Sequence, residues 1–277
     1  MRPDGDFSTD DVAKSANAAF DEYWAYPNGW IAMGAQRMGR FDVSYPAFAY
    51  LHSFSHSEQG GFCTGRPGRS GQDGTDALTT AHLGLLCLSF GALERAIGAG
   101  RWLARLLELQ PDPHESLYLR MDAEGRIVRD FPEAVAAFHV VRAHQGDQAY
   151  FMIGYPMAFL GRLYQATGDR APLDAARGYF DVARECGDEL CASHLSHKVG
   201  WGAAVLTGIT GEERCAELAA RSPSTCSTSR RGAGSGCRTS RSPSASTRPR
   251  RSPSGCRRSA PNSRGAEPGA ARAHHPK

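Results

Sequence analysis

The chain has 277 residues and a formal net charge of +3 at pH 7, and 41% of its residues are hydrophobic. This length suits one large domain or two small ones. The charge is unevenly divided: residues 1–220 hold 19 Lys and Arg against 28 Asp and Glu, whereas residues 221–277 hold 13 against one. The excess of acidic residues over residues 1–220 argues against a nucleic-acid-binding core, so we expect a small-molecule substrate and no nucleic acid partner.

Cysteine spacing and the N-terminus limit the class of protein further. The five cysteines before residue 221 are scattered and form no CxxC pair, a pattern typical neither of a disulfide framework nor of a zinc knuckle. We therefore predict no metal and no cofactor. The N-terminus is polar and acidic, and no apolar run reaches the length of a membrane span. The sequence thus predicts a cytoplasmic protein without a membrane partner, and it leaves the oligomeric state open.

Apolar residues recur at helical spacing along most of the chain before residue 221. A first helix starts at residue 8 or 9 and is ended by the sequence Tyr-Pro-Asn-Gly at 26–29. Residues 116–130 break the helical rhythm, because apolar and polar residues alternate around a turn at 122–125, which predicts a small β-hairpin inserted between helices. Further helices are predicted over residues 41–54, 75–90, 93–109, 150–166, 172–186, 199–209 and 212–220.

Three segments repeat one another, each with an apolar helix, a glycine turn and a charged, Ala-rich helix. Gly91, Gly168 and Gly211 mark the equivalent turns, where glycine tolerates a left-handed helix cap. Helical hairpins of this length either stack as an open solenoid or close into a ring. Aromatic loops and the hairpin insertion favour closure, so we predict an all-α fold, an α/α toroid of helical hairpins with a small β-hairpin insertion.

The composition changes after residue 221 to Ser, Arg, Pro, Gly and Ala. One interpretation is a disordered basic tail. A second interpretation starts from the observation that residues 246–258, read in another frame with GC-rich codons, can encode an amphipathic helical segment. We therefore interpret residues 222–277 as the product of a frameshift that replaced the last hairpin, and residues 1–221 as an incomplete toroid domain.

The stretch 56–88 carries the candidate catalytic residues, because a glycine-rich loop leads there into an apolar helix. Asp73 and Asp76 lie at the mouth of this helix, and His56 and Glu58 precede the loop. Two carboxylates three residues apart can share a helix face, and their mutual repulsion can raise one pKa, which gives a general acid and a base. The alternative is that Asp73 or Thr75 only caps the helix.

Other side chains are candidates for binding. Arg66 and Arg69 in the glycine-rich loop can hold an anionic group. His194 and His197 are three residues apart and can bind a metal or carry protons, although a role in a surface loop is the alternative. Aromatic side chains can line a cavity and stabilise a cation with their π faces; the candidates are Trp30, Tyr45, Tyr155 and Trp201.

The motifs Gly60-Gly61-Phe62 and Gly65-Arg66-Pro67 resemble the glycine-rich segment of the terpenoid cyclase and protein prenyltransferase toroids. Thr75 occupies the position of the zinc-binding Cys of the prenyltransferases, so the resemblance implies no zinc site here. It implies an α/α toroid. With the acid pair, it implies an enzyme of secondary metabolism, such as antibiotic biosynthesis, that performs an acid-initiated cyclisation or isomerisation of a mostly apolar, terpenoid- or polyketide-like substrate.

A second sequence motif indicates another function. Residues 164–169, with the sequence YQATGD, and the following Leu-Asp-Ala-Ala at 173–176 resemble sugar-processing α/α barrels such as N-acylglucosamine epimerases and unsaturated uronyl hydrolases. Those enzymes use His or Asp as proton carriers in an aromatic funnel. An epimerase or a glycoside hydrolase is therefore the alternative enzyme, and a non-catalytic helical-repeat interaction module is the third possibility.

Overall fold

A computed structural model describes residues 1–7, 23–56, 58–65 and 74–222. The predicted first helix, most of the glycine-rich loop and the tail from residue 223 lie outside the described residues. The longer helices are α1 (Ala25–Arg37), α2 (Phe41–His52), α3 (Ala77–Ser89), α4 (Leu93–Glu108), α5 (Phe151–Thr167), α6 (Arg170–Glu185), α8 (His197–Thr210) and α9 (Glu213–Arg221). Short elements are a helix α7 (Gly187–Ala192), 3-10 turns at Glu133–Phe138 and His194–Ser196, and strands β1 (Thr75–Asp76), β2 (Ser116–Tyr118), β3 (Arg120–Met121) and β4 (Val140–Arg142).

The helices form two layers. The inner layer consists of α1, α3, α5 and α8, which pack side by side in that order, and α5 and α8 share the most extensive contact. The outer helices α4, α6 and α9 each return antiparallel to the preceding inner helix and bury one face. Helices α3 and α5 are apolar on nearly all sides, and most of their side chains are therefore buried. The predicted all-α fold, an α/α toroid of helical hairpins, is confirmed.

The three repeated glycine turns are confirmed as well. Gly91, Gly168 and Gly211 have φ angles of +73°, +72° and +70°, in the left-handed region that favours glycine. After the turn at Gly168, helix α6 is capped by Asp169, whose carboxylate accepts a hydrogen bond from the amide of Ala171 at 3.1 Å. The geometry of this turn and of this helix cap therefore explains the sequence motif at residues 164–169.

The predicted helix end at residues 26–29 is wrong. Helix α1 begins at Ala25 and continues through this sequence to Arg37, with Pro27 in its first turn. Proline is tolerated there because the first amides of a helix have no acceptor within it. Gly29 has a packing role instead: a Cβ at this position would collide with the imidazole of His82 on α3.

Of the β-hairpin predicted over residues 116–130, the structure forms only the turn. Met121 bridges to Ile127 around Gly125, but the main pairing of both flanking strands lies elsewhere. Strand β3 pairs antiparallel with β1, and β2 pairs antiparallel with β4. The β1–β3 sheet attaches the segment between α4 and α5 to the N-terminal end of α3, and the β2–β4 sheet closes that segment on itself. Within the described ranges, no helix is long and apolar enough to cross a membrane.

Candidate functional site

The N-terminal ends of the four inner helices converge on one cavity of about 250 Å³. Each inner helix, or the segment just before it, contributes to the wall, and the 3-10 turn before β4 adds an aromatic side chain. Inner helices that run in the same direction bring together residues that are far apart in the sequence. The lining residues are Tyr23, Tyr26, Leu78, Phe138, Phe151, Tyr155, Leu195, His197 and Lys198.

Two tyrosine hydroxyls meet in the wall of this cavity. The hydroxyl oxygens of Tyr26 on α1 and Tyr155 on α5 lie 2.6 Å apart, a distance typical of a short O–H···O hydrogen bond. Burial, followed by the proximity of Tyr26, raises the pKa of Tyr155 well above its usual value. Tyr155 therefore keeps its proton at neutral pH, and when it donates the mutual bond to Tyr26, the Tyr26 hydroxyl can donate its own proton to a ligand.

Lys198 at the start of α8 extends its ammonium group among three aromatic rings. The Nζ atom lies 5.1 Å from the ring centre of Trp30, 5.3 Å from that of Tyr155 and 5.5 Å from that of Trp201. Within the described part of the chain, Lys198 has no hydrogen-bond or ion-pair partner. Partial burial lowers the pKa of Lys198, while the ring faces attract the charged form and oppose this effect.

Small residues hold α8 close enough to place Lys198 there. A Cβ at Gly154 on α5 would collide with the main chain of Lys198 and Val199. A Cβ at Gly202 on α8 would lie 2.7 Å from the Cβ of Met157 on α5, which is also too close. The two glycines therefore let the helix backbones approach at the cavity, and the first turn of α8 packs directly on α5.

Two histidines belong to this region. His82 on α3 is fully buried, and its Nε2 lies 3.2 Å from the carbonyl oxygen of Tyr26, while its Nδ1 has no partner among the described residues. Burial lowers the pKa of His82 to about 3, so the ring is neutral at pH 7. His197 lines the cavity, and its Nδ1 lies 3.1 Å from the carbonyl oxygen of His194. Donation from Nδ1 leaves Nε2 of His197 as a potential proton acceptor.

A second cavity of about 560 Å³ lies further along the inner helices, toward their C-terminal ends. Trp30 and Trp201 belong to its lining, together with Arg37 and Arg162. The same two tryptophans contact Lys198, which itself lines the first cavity. Lys198 and the aromatic rings around it therefore lie between the two cavities.

Three of the four aromatic residues predicted for a cavity come together around Lys198: Trp30, Tyr155 and Trp201. Tyr45 does not join them, because it is 58% exposed on α2 and packs against Phe90. Sequence reasoning missed the most polar part of the site, namely Tyr26, His82 and Lys198. A detectable signal was the scarcity of lysine, since Lys198 is one of three in the chain.

Asp76 caps α3, two residues before Leu78, which lines the first cavity. Its Oδ1 accepts a hydrogen bond from the amide of Thr79 at 2.9 Å, and its Oδ2 has no partner among the described residues. The carboxyl is 1% exposed, and burial raises its pKa, with a smaller opposing effect from Arg120. Burial thus favours the protonated form more than in an exposed carboxyl, which is the direction that the predicted acid requires, but Asp76 is not among the described residues that line either cavity. Its catalytic role stays a prediction.

His56 and Glu58 lie in the loop after α2, and neither lines the described cavities. The Nδ1 atom of His56 accepts a hydrogen bond from the amide of Gln59 at 3.3 Å, so this ring stabilises its own loop, and Glu58 is exposed. Their predicted catalytic role is untested.

The Gly-Gly-Phe motif at 60–62 has a packing role, because a Cβ at Gly60 or Gly61 would clash with Gly98 or Trp102 on α4. Asp73, Arg66 and Arg69 lie outside the described residues, so their predicted roles stay predictions. Among the residues that are described, no group of three or more His, Cys, Asp or Glu side chains is placed to hold a metal ion.

Comparison with known proteins yields a distant structural similarity and no sequence match. No family model matches the chain, and no curated protein sequence matches it. A solved GH76 α-mannanase of Bacteroides thetaiotaomicron is similar over 70% of this chain and 56% of its own, at 15% identity and a TM-score of 0.49. This chain therefore spans little more than half the length of that structure, and so distant a likeness assigns it no substrate.

The comparison nevertheless requires a correction. The similar structure is a glycoside hydrolase and not a terpenoid cyclase. The prediction of an acid-initiated cyclisation or isomerisation of an apolar metabolite is wrong in its light, and nothing supports a role in antibiotic biosynthesis. The Gly-Gly-Phe motif that suggested a cyclase is accounted for by packing on α4.

Proposed function

We propose that the chain is a sugar-processing enzyme that transfers a proton on a single saccharide unit, as an epimerase does. The observation that carries this proposal is the meeting of the Tyr26–Tyr155 hydroxyl pair, His197 and several aromatic side chains in one cavity at the N-terminal ends of the inner helices. Aromatic faces pack against the C–H side of a sugar ring, and hydroxyl groups bind its edge. The wall of this cavity is mostly apolar, so the C–H side of the ring would pack on it, while its few polar groups, the tyrosine hydroxyls, His197 and Lys198, would bind the hydroxyl groups of the sugar.

The size of the cavity favours one sugar unit. Pockets for drug-sized ligands measure about 300–1,000 Å³, and the cavity here is about 250 Å³. A monosaccharide fits this scale, whereas several linked units would also have to occupy the second cavity beyond Trp30 and Trp201.

The lining favours proton transfer over hydrolysis. Glycoside hydrolysis generally uses a pair of carboxylic acids that flank the glycosidic bond. The described residues that line the first cavity include neither Asp nor Glu, but they do include His197 with Nε2 available as a base. We propose that His197 takes the proton from a carbon next to the carbonyl group of the open-chain sugar, and that solvent or another group returns a proton to the opposite face.

The Tyr26–Tyr155 pair has a complementary role in this proposal. Removal of a proton next to a carbonyl places negative charge on the carbonyl oxygen, and a hydroxyl donor can stabilise it. Because the pKa of Tyr155 is raised, its hydroxyl keeps its proton while the carbonyl oxygen of the sugar becomes negative.

Proton exchange with solvent tests the proposal. The protein is incubated in D₂O with a panel of neutral, N-acylated and acidic monosaccharides, and proton NMR records signal loss at the carbon next to the carbonyl group. We expect deuterium incorporation and a new epimer with one sugar class. His197→Gln should reduce the rate at least 100-fold, as expected for loss of a general base.

The matched control is His144→Gln. His144 is exposed and pairs with Glu115 at 3.5 Å, away from the cavity. This variant should keep the wild-type rate. The absence of deuterium incorporation with every sugar of the panel would contradict proton transfer. An equal rate in the His197→Gln variant would show that another residue is the base.

A further inference from the structure

Lysine is rare in this chain, and its one occurrence in the described residues is in the cavity. Of the 32 Lys and Arg residues, only Lys14, Lys198 and Lys277 are lysines. The described surface cations are otherwise arginines, many of which pair with carboxylates, as Arg177 does with Glu212 at 2.7 Å. Lys198 therefore differs from the other cations both in type and in surroundings.

The surroundings of Lys198 leave its charge without a counter-ion. The side chain is half-buried, its Nζ lies 5.1–5.5 Å from three ring centres, and the described residues give it no hydrogen-bond or ion-pair partner. A desolvated ammonium group is costly unless something compensates it. Ring faces compensate only part of this cost, since they supply a quadrupole and no hydrogen-bond acceptor.

We propose that Lys198 binds an oxyanion on the saccharide, a carboxylate or a phosphate, and thereby selects acidic sugars over neutral ones. This inference rests on the proposed function, because it names the substrate class of the same cavity. The ammonium group would donate up to three hydrogen bonds to the oxyanion while the sugar ring packs on the neighbouring aromatic faces.

The charge distribution supports an anionic ligand. Residues 1–220 carry 19 basic against 28 acidic side chains, yet the described lining of the first cavity contains Lys198 and His197 and no acid. A cationic cavity in an acidic body attracts an anion locally while the rest of the surface repels it, so charge favours this site over others. A hydrogen bond to a charged group also contributes more to binding than one between neutral groups.

Calorimetric titration with matched sugars tests the inference. Each set contains a hexose, its uronic acid and its 6-phosphate, in the gluco, manno and galacto configurations, so that the two sources of the oxyanion are distinguished. We expect one acid or phosphate to bind at least about tenfold more tightly than its neutral hexose. Lys198→Met, which keeps the length and removes the charge, should abolish this preference and leave the weaker hexose binding.

Arg37→Met is the matched control, because it also removes one positive charge, but from the second cavity. It should keep the preference for the acidic sugar. If Lys198→Met does not fold, the salt dependence of the wild-type protein decides instead: affinity for the acidic sugar should fall as NaCl rises, and affinity for the hexose should not.

The outcomes separate the two proposals. Equal binding of hexose and acid to the wild type and to Lys198→Met would overturn the role of Lys198 and leave the sugar site intact. Binding of no sugar at all would overturn the proposed function itself. Inorganic phosphate that binds as tightly as the sugar phosphate would show a simple anion site and overturn the selection of sugars.

Discussion

His82 should make the folded protein sensitive to mild acid. Its imidazole is fully buried on α3, within 3.2 Å of the carbonyl oxygen of Tyr26 and between the rings of Tyr26 and Trp30. Burial lowers its pKa from 6.5 to about 3; the bond to Tyr26 opposes this effect, and the charge of Lys198 adds to it. In the unfolded chain the ring is exposed and takes up a proton near its ordinary pKa.

The sign and size of the effect follow from proton linkage. Between pH 6.5 and 3 the unfolded chain binds a proton that the native protein does not, so the free energy of unfolding falls as the pH falls through this range. Each pH unit below 6.5 costs about 1.4 kcal/mol, which gives a loss of about 2 kcal/mol at pH 5. That is a large part of a typical domain stability of about 5–15 kcal/mol.

Urea unfolding followed by circular dichroism at pH 7.5 and pH 5 measures this loss. The comparison variant is His82→Gln, which keeps a donor for the carbonyl of Tyr26 and does not titrate in this range. It should lose about 2 kcal/mol less than the wild type between the two pH values. Asp76 titrates with the opposite sign, because burial raises its pKa, but it is present in both proteins and cancels in the comparison.

His144→Gln is the matched control, since it removes an exposed histidine and should follow the wild type. The reasoning about His82 would be refuted if wild type and His82→Gln lost the same free energy between pH 7.5 and pH 5. That result would mean that the imidazole is hydrated in the native protein.

Three further variants probe the helix contacts and the buried acid. Gly154→Ala should destabilise the protein by about 1–3 kcal/mol and weaken saccharide binding, because its Cβ would displace the main chain at Lys198; an unchanged melting temperature would contradict this. Gly208→Ala on the same helix pair is the control and should stabilise by about 0.5–1 kcal/mol, since nothing lies within 4 Å of its Cβ. Asp76→Asn keeps an acceptor for the amide of Thr79 but cannot ionise, so its urea stability should lack the wild-type decrease as the pH rises above 3.8; parallel curves for the two proteins would refute the raised pKa.

The helical hairpins could be predicted from the sequence because their signals are local. Apolar spacing defines α3 to α6 and α8 to α9, and Gly91, Gly168 and Gly211 end the first helix of each pair with a left-handed residue. Helix α1 was missed because Pro27 and Gly29 usually indicate a turn. Here the proline lies in the first turn of the helix and the glycine contacts His82, and only the packing of α1 on α3 reveals either role.

The site was less predictable, because it depends on contacts between helices that are distant in sequence. Trp30, Tyr155 and Trp201 were selected as aromatic residues, but nothing local connects them to Lys198. Their meeting depends on the close approach of α5 and α8 at Gly154, which is a property of the folded chain. The Gly-Gly-Phe motif misled for the same reason, since a glycine required for packing has the same sequence signature as one required for binding.

The lysine side chains themselves offer the most direct test of the site. Reductive methylation with ¹³C-formaldehyde labels Lys14, Lys198 and Lys277 and keeps their charge, and the signal absent from a Lys198→Arg variant identifies Lys198. Because Nζ lies over three rings, its methyl carbons and protons should resonate upfield of free dimethyl-lysine and move when an acidic monosaccharide is added. A Lys198 signal at the position of free dimethyl-lysine, unmoved by every sugar of the panel, would contradict both the aromatic site and the function proposed for it.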